Sequence, residues 1–196
     1  MNLDLASRTA EFARVVSAST WTGKQGEKVE SEAGASTFLG WVDSLKKARK
    51  RMYIVGNGGS AAIAGHAVTD FVNMAKISAF TLHDPSLLTC MTNDYGYEVA
   101  FARMLAMHAG EGDMLVAISS SGKSPNICNA VESFRSVGGG KVLTLSGFKD
   151  ENPLRQLGDV NVWLDSNDYG IVEIGHQFVL HNLSDRIAAQ LRAMGQ

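Results

Sequence analysis

The chain has 196 residues and a formal net charge of −2 at pH 7, and this length predicts one domain with its own hydrophobic core. The near-neutral charge gives no overall attraction to nucleic acid, and no apolar stretch approaches the roughly 20 residues of a membrane span. Two cysteines, Cys90 and Cys128, form neither a disulfide framework nor a thiolate metal cluster. We therefore expect a cytoplasmic protein with no nucleic-acid or membrane partner.

Residues 1–50 have the apolar spacing of helices. An imperfect stripe over the first 16 residues is followed by a polar, glycine-containing stretch at 22–27. A second predicted helix covers roughly residues 30–49, with Phe38, Val42 and Leu45 along one buried face. We expect both helices to precede the sheet as part of the same domain.

Residues 51–196 alternate between short apolar runs and helical stretches. The runs are MYIVG (52–56), ISAFTL (77–82), MLVAIS (114–119), KVLTLS (141–146) and VNVWL (160–164). The last helix is predicted from about Tyr169 to about Met194. This alternation predicts a three-layer α/β fold, with a five-stranded parallel sheet and helices on both faces. Ligands of such sheets bind beyond the carboxyl ends of the strands.

The segment DMLVAISSSGKSPN, residues 113–126, carries the clearest chemical signal. A buried strand ends in a serine-rich loop, and Pro125 is well placed as the first residue of a helix. A helix N-terminus offers free N–H groups and the positive end of the dipole to an anion. The loop adds the hydroxyls of Ser119, Ser120, Ser121 and Ser124. The segment predicts a phosphate-monoester site, because four hydroxyls exceed what one helix cap needs; the alternative is a polar loop that binds nothing.

Two nucleotide motifs are alternatives. GNGGSA, residues 56–61, loosely fits the dinucleotide pattern G-x-G-x-x-A, and Asp84 lies near the position of its ribose-binding acid. An NAD site would leave the serine loop without a role. GKS at 122–124 is typical of a P-loop, but Ala117 stands where the first glycine of that motif is required.

Two helices carry pairs of chemically active residues. His66 and Asp70 are four residues apart, so they share a helix face and can converge on one ligand or metal ion. On the last helix, Glu173, Gln177 and His181 follow one another at the same spacing. The alternatives are a packed core histidine on the first helix and a polar surface stripe on the second.

Three motifs together carry a resemblance to a known family. GNGGSAAIAGH, then TNDYGYE at 92–98, then AISSSGKSPN resemble the sugar isomerase (SIS) domain, and within it the bacterial phosphoheptose isomerases. The resemblance covers about residues 35–190. It implies a flavodoxin-like sheet and an aldose–ketose isomerase that converts sedoheptulose 7-phosphate through an enediol, for cell-surface glycan synthesis. It also implies a zinc cofactor and a homotetramer, with the helices of residues 1–50 serving oligomerisation.

The resemblance implies site residues by position. The sugar phosphate would be held by Asn57, Gly58, Gly59, Ser60, Asn93, Asp94, Ser119, Ser120, Ser121, Ser124 and Glu173. The zinc ligands would be His66, Asp70, Glu173 and His181, with Asp70 as the base and His181 as the partner acid.

This chain departs from the family at several of these positions. Asp70 stands where the family has Glu, and Glu173 stands where it has Gln. Gly170 and Ile171 replace an Asp-Arg pair. A second hypothesis is therefore a non-catalytic SIS domain that senses phosphosugars or binds another protein, although both His66 and His181 are retained.

Overall fold

Helices and strands alternate along residues 3–195, which the computed structural model describes. The helices are α1 (Leu5–Ser17), α2 (Ser31–Lys47), α3 (Gly59–Asn73), α4 (Pro85–Tyr95), α5 (Tyr97–His108), α6 (Pro125–Ser136) and α7 (Tyr169–Ala193). The strands are β1 (Thr20–Gly23), β2 (Lys28–Val29), β3 (Met52–Val55), β4 (Ala79–Thr81), β5 (Met114–Ser119), β6 (Val142–Gly147) and β7 (Val160–Leu164). A short 3-10 helix, Pro153–Gln156, precedes β7.

The strands form one sheet in the order β2-β1-β7-β6-β5-β3-β4. The five strands from β7 to β4 run parallel, which confirms all five predicted strands and the predicted fold class. In chain order these five strands have the 2-1-3-4-5 arrangement of flavodoxin-like sheets, whose switch point lies between the first and third strands. Here those strands are β3 and β5. The loops after them are residues 56–58, the glycine loop, and residues 120–124, the serine loop.

The N-terminal region contains more than helices. β1 pairs antiparallel with β7, and β2 pairs antiparallel with β1, so the sheet has seven strands and not five. The prediction of a polar break between two helices was wrong at residues 20–29, which form this hairpin. Trp21 is buried, and the amide of Asn161 in β7 donates to the carbonyls of Thr22 and Gly23. Strands of four and two residues are too short to show the alternating pattern that identifies a strand in a sequence.

The central strand β5 is buried on both faces. Met114, Val116 and Ile118 belong to one apolar cluster, formed with α2, α3 and α7. Leu115 and Ala117 belong to a second cluster, formed with α5 and α6 on the opposite face of the sheet. This explains why β5 is an uninterrupted apolar run and not an alternating one. In residues 3–195, no helix has the length and apolar character needed to cross a bilayer.

His176 of α7 is a fully buried histidine. Its Nε2 lies 3.1 Å from the carbonyl oxygen of Ser146 at the end of β6. Because a carbonyl only accepts, Nε2 carries the proton of the neutral ring. Burial disfavours the charged ring and lowers the pKa of His176 to about 4. The neutral ring therefore ties α7 to the end of β6.

We expect acid to destabilise the fold through His176. In the unfolded chain this histidine titrates near its ordinary pKa of about 6.5, so the unfolded state binds the extra proton between pH 6.5 and 4. The free energy of unfolding therefore falls as pH is lowered through that window, and His176 accounts for about 3 kcal/mol of the loss. Urea unfolding at several pH values should show that the free energy of unfolding of His176→Gln depends less steeply on pH than that of the wild type. A pH dependence in His176→Gln equal to that of the wild type would contradict the assignment.

Candidate active site

The glycine loop leads directly from β3 into α3. Gly58 has a φ of +52° and precedes the helix without a side-chain cap. The carboxylate of Glu173, from α7, packs against Gly59 and leaves no room for a Cβ at that position. A carboxylate of the protein itself therefore lies at the N-terminus of α3, where the helix dipole favours a negative charge.

The serine loop leads from β5 into α6. Ser124 precedes the helix but makes no side-chain cap, and its Oγ lies 3.1 Å from the Oγ of Ser119. Gly122 has a φ of +64° and packs against Asn152. Backbone hydrogen bonds hold the loop to β6 and to the 3-10 helix. The N–H of Gly147 in β6 donates to the carbonyl of Ser120, and the N–H of Leu154 in the 3-10 helix donates to the carbonyl of Gly122. The loop is thus fixed in place.

Ser120 is the one serine of this loop with an unpaired buried hydroxyl. It is 5% exposed, and within residues 3–195 its Oγ has no hydrogen-bond partner. A buried hydroxyl without a partner is costly, so such groups in native proteins usually serve a ligand or an ordered water. The Oγ of Ser121, in contrast, accepts from the N–H of Lys123.

Two residues that the sequence did not single out, Asn126 and Tyr97, hold the glycine loop. Asn57 of the glycine loop exchanges hydrogen bonds with Asn126 in the first turn of α6, at 2.9 Å and 2.8 Å. The hydroxyl of Tyr97, at the start of α5, donates to Oδ1 of Asn57 over 2.7 Å. Asn126 and Tyr97 both lie inside the motifs that carry the family resemblance, and that was the available signal.

Asn93 and Asp94 lie in a helix and not at the end of a strand. They occupy the last turn of α4, where both side chains are exposed. The amide of Asn93 donates to the adjacent carboxylate of Asp94 over 3.0 Å. Most of α4 therefore separates this pair from the end of β4. Their predicted contact with substrate stays a prediction.

His66, Asp70 and His181 meet where α3 packs against α7. Oδ2 of Asp70 lies 2.7 Å from Nδ1 of His181 and 3.3 Å from Nε2 of His66. Ala64 and Ala67 of α3 are buried in the apolar cluster that residues of α7 also join. Asp70 is buried while both imidazoles are exposed. The shorter aspartate therefore reaches both histidines directly, without an intervening water.

The electrostatics of this cluster concern His181 above all. The hydrogen bond to Asp70 raises the pKa of His181, because a carboxylate partner favours the imidazolium. The other ring nitrogen, Nε2, lies 4.0 Å from the carboxylate of Asp185 one turn along α7. His181 is thus placed between two carboxylates.

The same three residues have the donor set of a metal site. One ligand atom from each of His66, Asp70 and His181 lies within 4.8 Å of the other two. Two imidazole nitrogens and one carboxylate oxygen are a common ligand set of catalytic zinc, which keeps a further position open. Among residues 3–195, Glu173 does not belong to this group. It lies two helical turns before His181 on α7, and its carboxylate packs against Gly59.

Comparison with known proteins identifies the family of this chain. Residues 27–147 match the SIS domain family. The phosphoheptose isomerase of Citrifermentans bemidjiense is 35% identical over 181 residues, which cover 89% of this chain and 92% of that protein. The chain belongs to the phosphoheptose isomerase family of SIS-domain proteins.

Solved structures support the same assignment of the SIS domain. The phosphoheptose isomerase of Neisseria gonorrhoeae aligns with a TM-score of 0.81 at 25% identity, covering 94% of this chain and 97% of that one. The protein from Francisella tularensis, also a phosphoheptose isomerase, aligns with a TM-score of 0.80 at 22% identity over 94% of each chain. At that identity the second alignment supports the fold alone.

The SIS-domain geometry argues against the dinucleotide alternative. A pyrophosphate at the glycine loop would meet the carboxylate of Glu173, a like charge, at the N-terminus of α3. The side chain of Asp84 accepts a hydrogen bond from the N–H of Leu87 and caps α4. The acid expected to bind ribose is therefore used to begin a helix.

Proposed function

We propose that this protein is an aldose–ketose isomerase of sugar phosphates. The observation that carries the proposal is the buried carboxylate of Asp70 between two imidazoles, on the helix that begins at the sheet switch point. Its relatives are named phosphoheptose isomerase, so sedoheptulose 7-phosphate is the first substrate to test. An enediol isomerisation needs a base beside the carbon next to a carbonyl and an acid at the carbonyl oxygen.

The charges at the two loops indicate how the substrate is oriented in the site. The N-terminus of α3 already faces Glu173, whereas the N-terminus of α6 is uncapped and adjoins the unpaired hydroxyl of Ser120. A phosphate dianion therefore favours α6 and the serine loop. The glycine loop, with Asn57, Gly58, Gly59 and Ser60, is left for the neutral part of the sugar. This anchoring holds the reacting carbons toward α3 and α7.

The proton transfers are assigned to Asp70 and His181. Both contacts of Asp70 use Oδ2, so Oδ1 takes the substrate proton and returns it to the neighbouring carbon. Without a metal ion, the hydrogen bond to Asp70 raises the pKa of His181, which favours the protonated ring and suits an acid. Its Nε2 is the nitrogen turned away from Asp70 and carries the transferable proton.

His66, Asp70 and His181 are the residues that would hold zinc. When bound there, the ion supplies Lewis-acid polarisation of the substrate carbonyl. Glu173, which the resemblance implies as a fourth ligand, would first have to leave Gly59. We assign Glu173 to the sugar end of the site.

Zinc binding gives a direct test of this ligand set. Metal-free protein dialysed against Zn²⁺ should bind about one ion per chain, and His66→Ala should weaken binding at least about tenfold because one of three ligands is lost. Calorimetry with Zn²⁺ alone measures this without any assay of activity. His108→Ala, an exposed histidine on α5, is the matched control. Equal affinity in the wild type and His66→Ala would contradict the assignment.

Exposed apolar residues and free cysteines support the expected homotetramer and the expected cytoplasmic location. Ile174 and Phe178 are exposed on consecutive turns of α7, the helix that also carries His181. Such an apolar stripe beside the site supports the homotetramer implied by the resemblance. Cys90 and Cys128 are free thiols, which supports a reducing cytoplasm. Sedimentation at the mass of one chain would contradict the tetramer.

Deuterium exchange separates catalysis from the second candidate function. The departures at Asp70 and Glu173 are what a non-catalytic phosphosugar sensor predicts. In D₂O, an isomerase introduces deuterium at the carbon next to the carbonyl of its ketose phosphate. Ketose phosphates of five to seven carbons should be tested, with and without a chelator. If the protein binds one of these ketose phosphates but introduces deuterium into none of them, the result would favour the sensor.

A further inference from the structure

Three side chains form a hydrogen-bonded group across the site. Tyr97 and Asn126 both donate to Oδ1 of Asn57, over 2.7 Å and 2.8 Å, while Nδ2 of Asn57 donates to Oδ1 of Asn126 over 2.9 Å. Asn126 is 2% exposed, whereas Tyr97 is 45% exposed. The group therefore extends from the buried start of α6, through the glycine loop, to the open junction between α4 and α5.

The hydrogen-bonding capacity of Asn57 is almost fully used. An amide oxygen has two lone pairs and an amide nitrogen has two hydrogens. Both lone pairs of Asn57 accept, from Tyr97 and Asn126, and one of its hydrogens goes to Asn126. What remains is one N–H. Asn57 can thus meet a ligand only as a donor, toward a hydroxyl, carbonyl or phosphate oxygen.

The pair of asparagines does not fix this orientation by itself. When both amides turn over together, each again donates to and accepts from the other, so the reciprocal pair survives. A tyrosine hydroxyl both donates and accepts, so Tyr97 stays bonded to Asn57 in either orientation and fixes the position of the side chain. One residue at the edge of the site therefore holds the amide in place beside the ligand.

We propose that Tyr97 is a positioning residue, which holds the Asn57 side chain in place so that its remaining N–H can bind the sugar phosphate. This inference rests on the proposed function, since it requires that the ligand of the glycine loop is the substrate. Tyr97→Phe keeps the aromatic ring beside Phe101, at 6.5 Å between ring centroids, and removes only the hydroxyl. The fold is therefore expected to tolerate the change.

Steady-state kinetics with sedoheptulose 7-phosphate test the proposal. Tyr97→Phe should raise KM by about fivefold to tenfold, as expected for one hydrogen bond, and should leave kcat within about twofold, since the contact is made in ground and transition states alike. Tyr95→Phe is the matched control. Tyr95 lies two residues away with its ring under the guanidinium of Arg103, and its KM should match the wild type. An unchanged KM in Tyr97→Phe overturns the proposal.

A double-mutant cycle identifies the residue through which Tyr97 acts. In an Asn57→Ala background, Tyr97→Phe should have no further effect on KM, and additive effects would overturn the proposal. The dissociation constant of sedoheptulose 7-phosphate, measured by calorimetry, gives a second readout. A wild-type protein that binds the sugar phosphate without turnover would refute the isomerase, yet weaker binding in Tyr97→Phe would still support the positioning role. Equal binding in both proteins would refute it.

Discussion

Asp70→Asn should reduce turnover of the sugar phosphate by about 10³-fold, the usual contribution of a well-placed general base. The amide has the size of the carboxylate and can still accept from Nδ1 of His181, but it cannot remove a proton from carbon. Asp70 is buried and touches both histidines of the cluster. The loss should therefore appear in kcat and in the rate of deuterium incorporation alike.

Controls for Asp70→Asn address folding. Asp43→Asn makes the same chemical change on the exposed face of α2, where the carboxylate pairs with Lys47. It should retain wild-type kcat. Thermal unfolding of both variants shows whether the fold persists. A folded Asp70→Asn protein with near-normal turnover would refute the assignment of Asp70 as the base.

Ser121→Asp should abolish tight binding of any sugar phosphate. A carboxylate about 4 Å from a phosphate dianion, near the protein surface, costs on the order of 3 kcal/mol or more. That cost corresponds to an increase in KM of about 100-fold. The same substitution should weaken inhibition by inorganic phosphate by a similar factor, because the phosphate group alone is affected.

Ser136→Asp is the matched control for this substitution. Ser136 is exposed in the last turn of α6, at the opposite end of the same helix. Its KM should stay close to that of the wild type. If both aspartates had equally small effects, the phosphate would not bind at the serine loop, and the direction assigned to the substrate would be wrong.

The sheet was predictable because β5 and the strands around it are buried on both sides. Runs such as MLVAIS and KVLTLS are apolar along their whole length, and helical stretches separate them. The hairpin of β1 and β2 was not predictable in this way. Its burial depends on Asn161 and Trp163 of β7, which follow it by about 140 residues in the chain.

The candidate site was likewise predictable only in part. The serine loop and the His66–Asp70 pair follow from local spacing, and the motifs that contain them pointed to the family. Glu173 shows the limit of such reasoning. The resemblance groups it with the metal ligands, while the packing of α7 on α3 places its carboxylate at Gly59.

The sequence by itself determined the parallel sheet, the position of the serine loop at the end of β5 and the pair of residues on α3, because each depends on neighbours within a few positions. Only the tertiary structure decided that His181 approaches Asp70 across 111 residues, and that Tyr97 and Asn126 donate hydrogen bonds to Asn57. Those contacts depend on how helices dock on the sheet. Docking is set by the packing of whole faces, and no local pattern of residues specifies it.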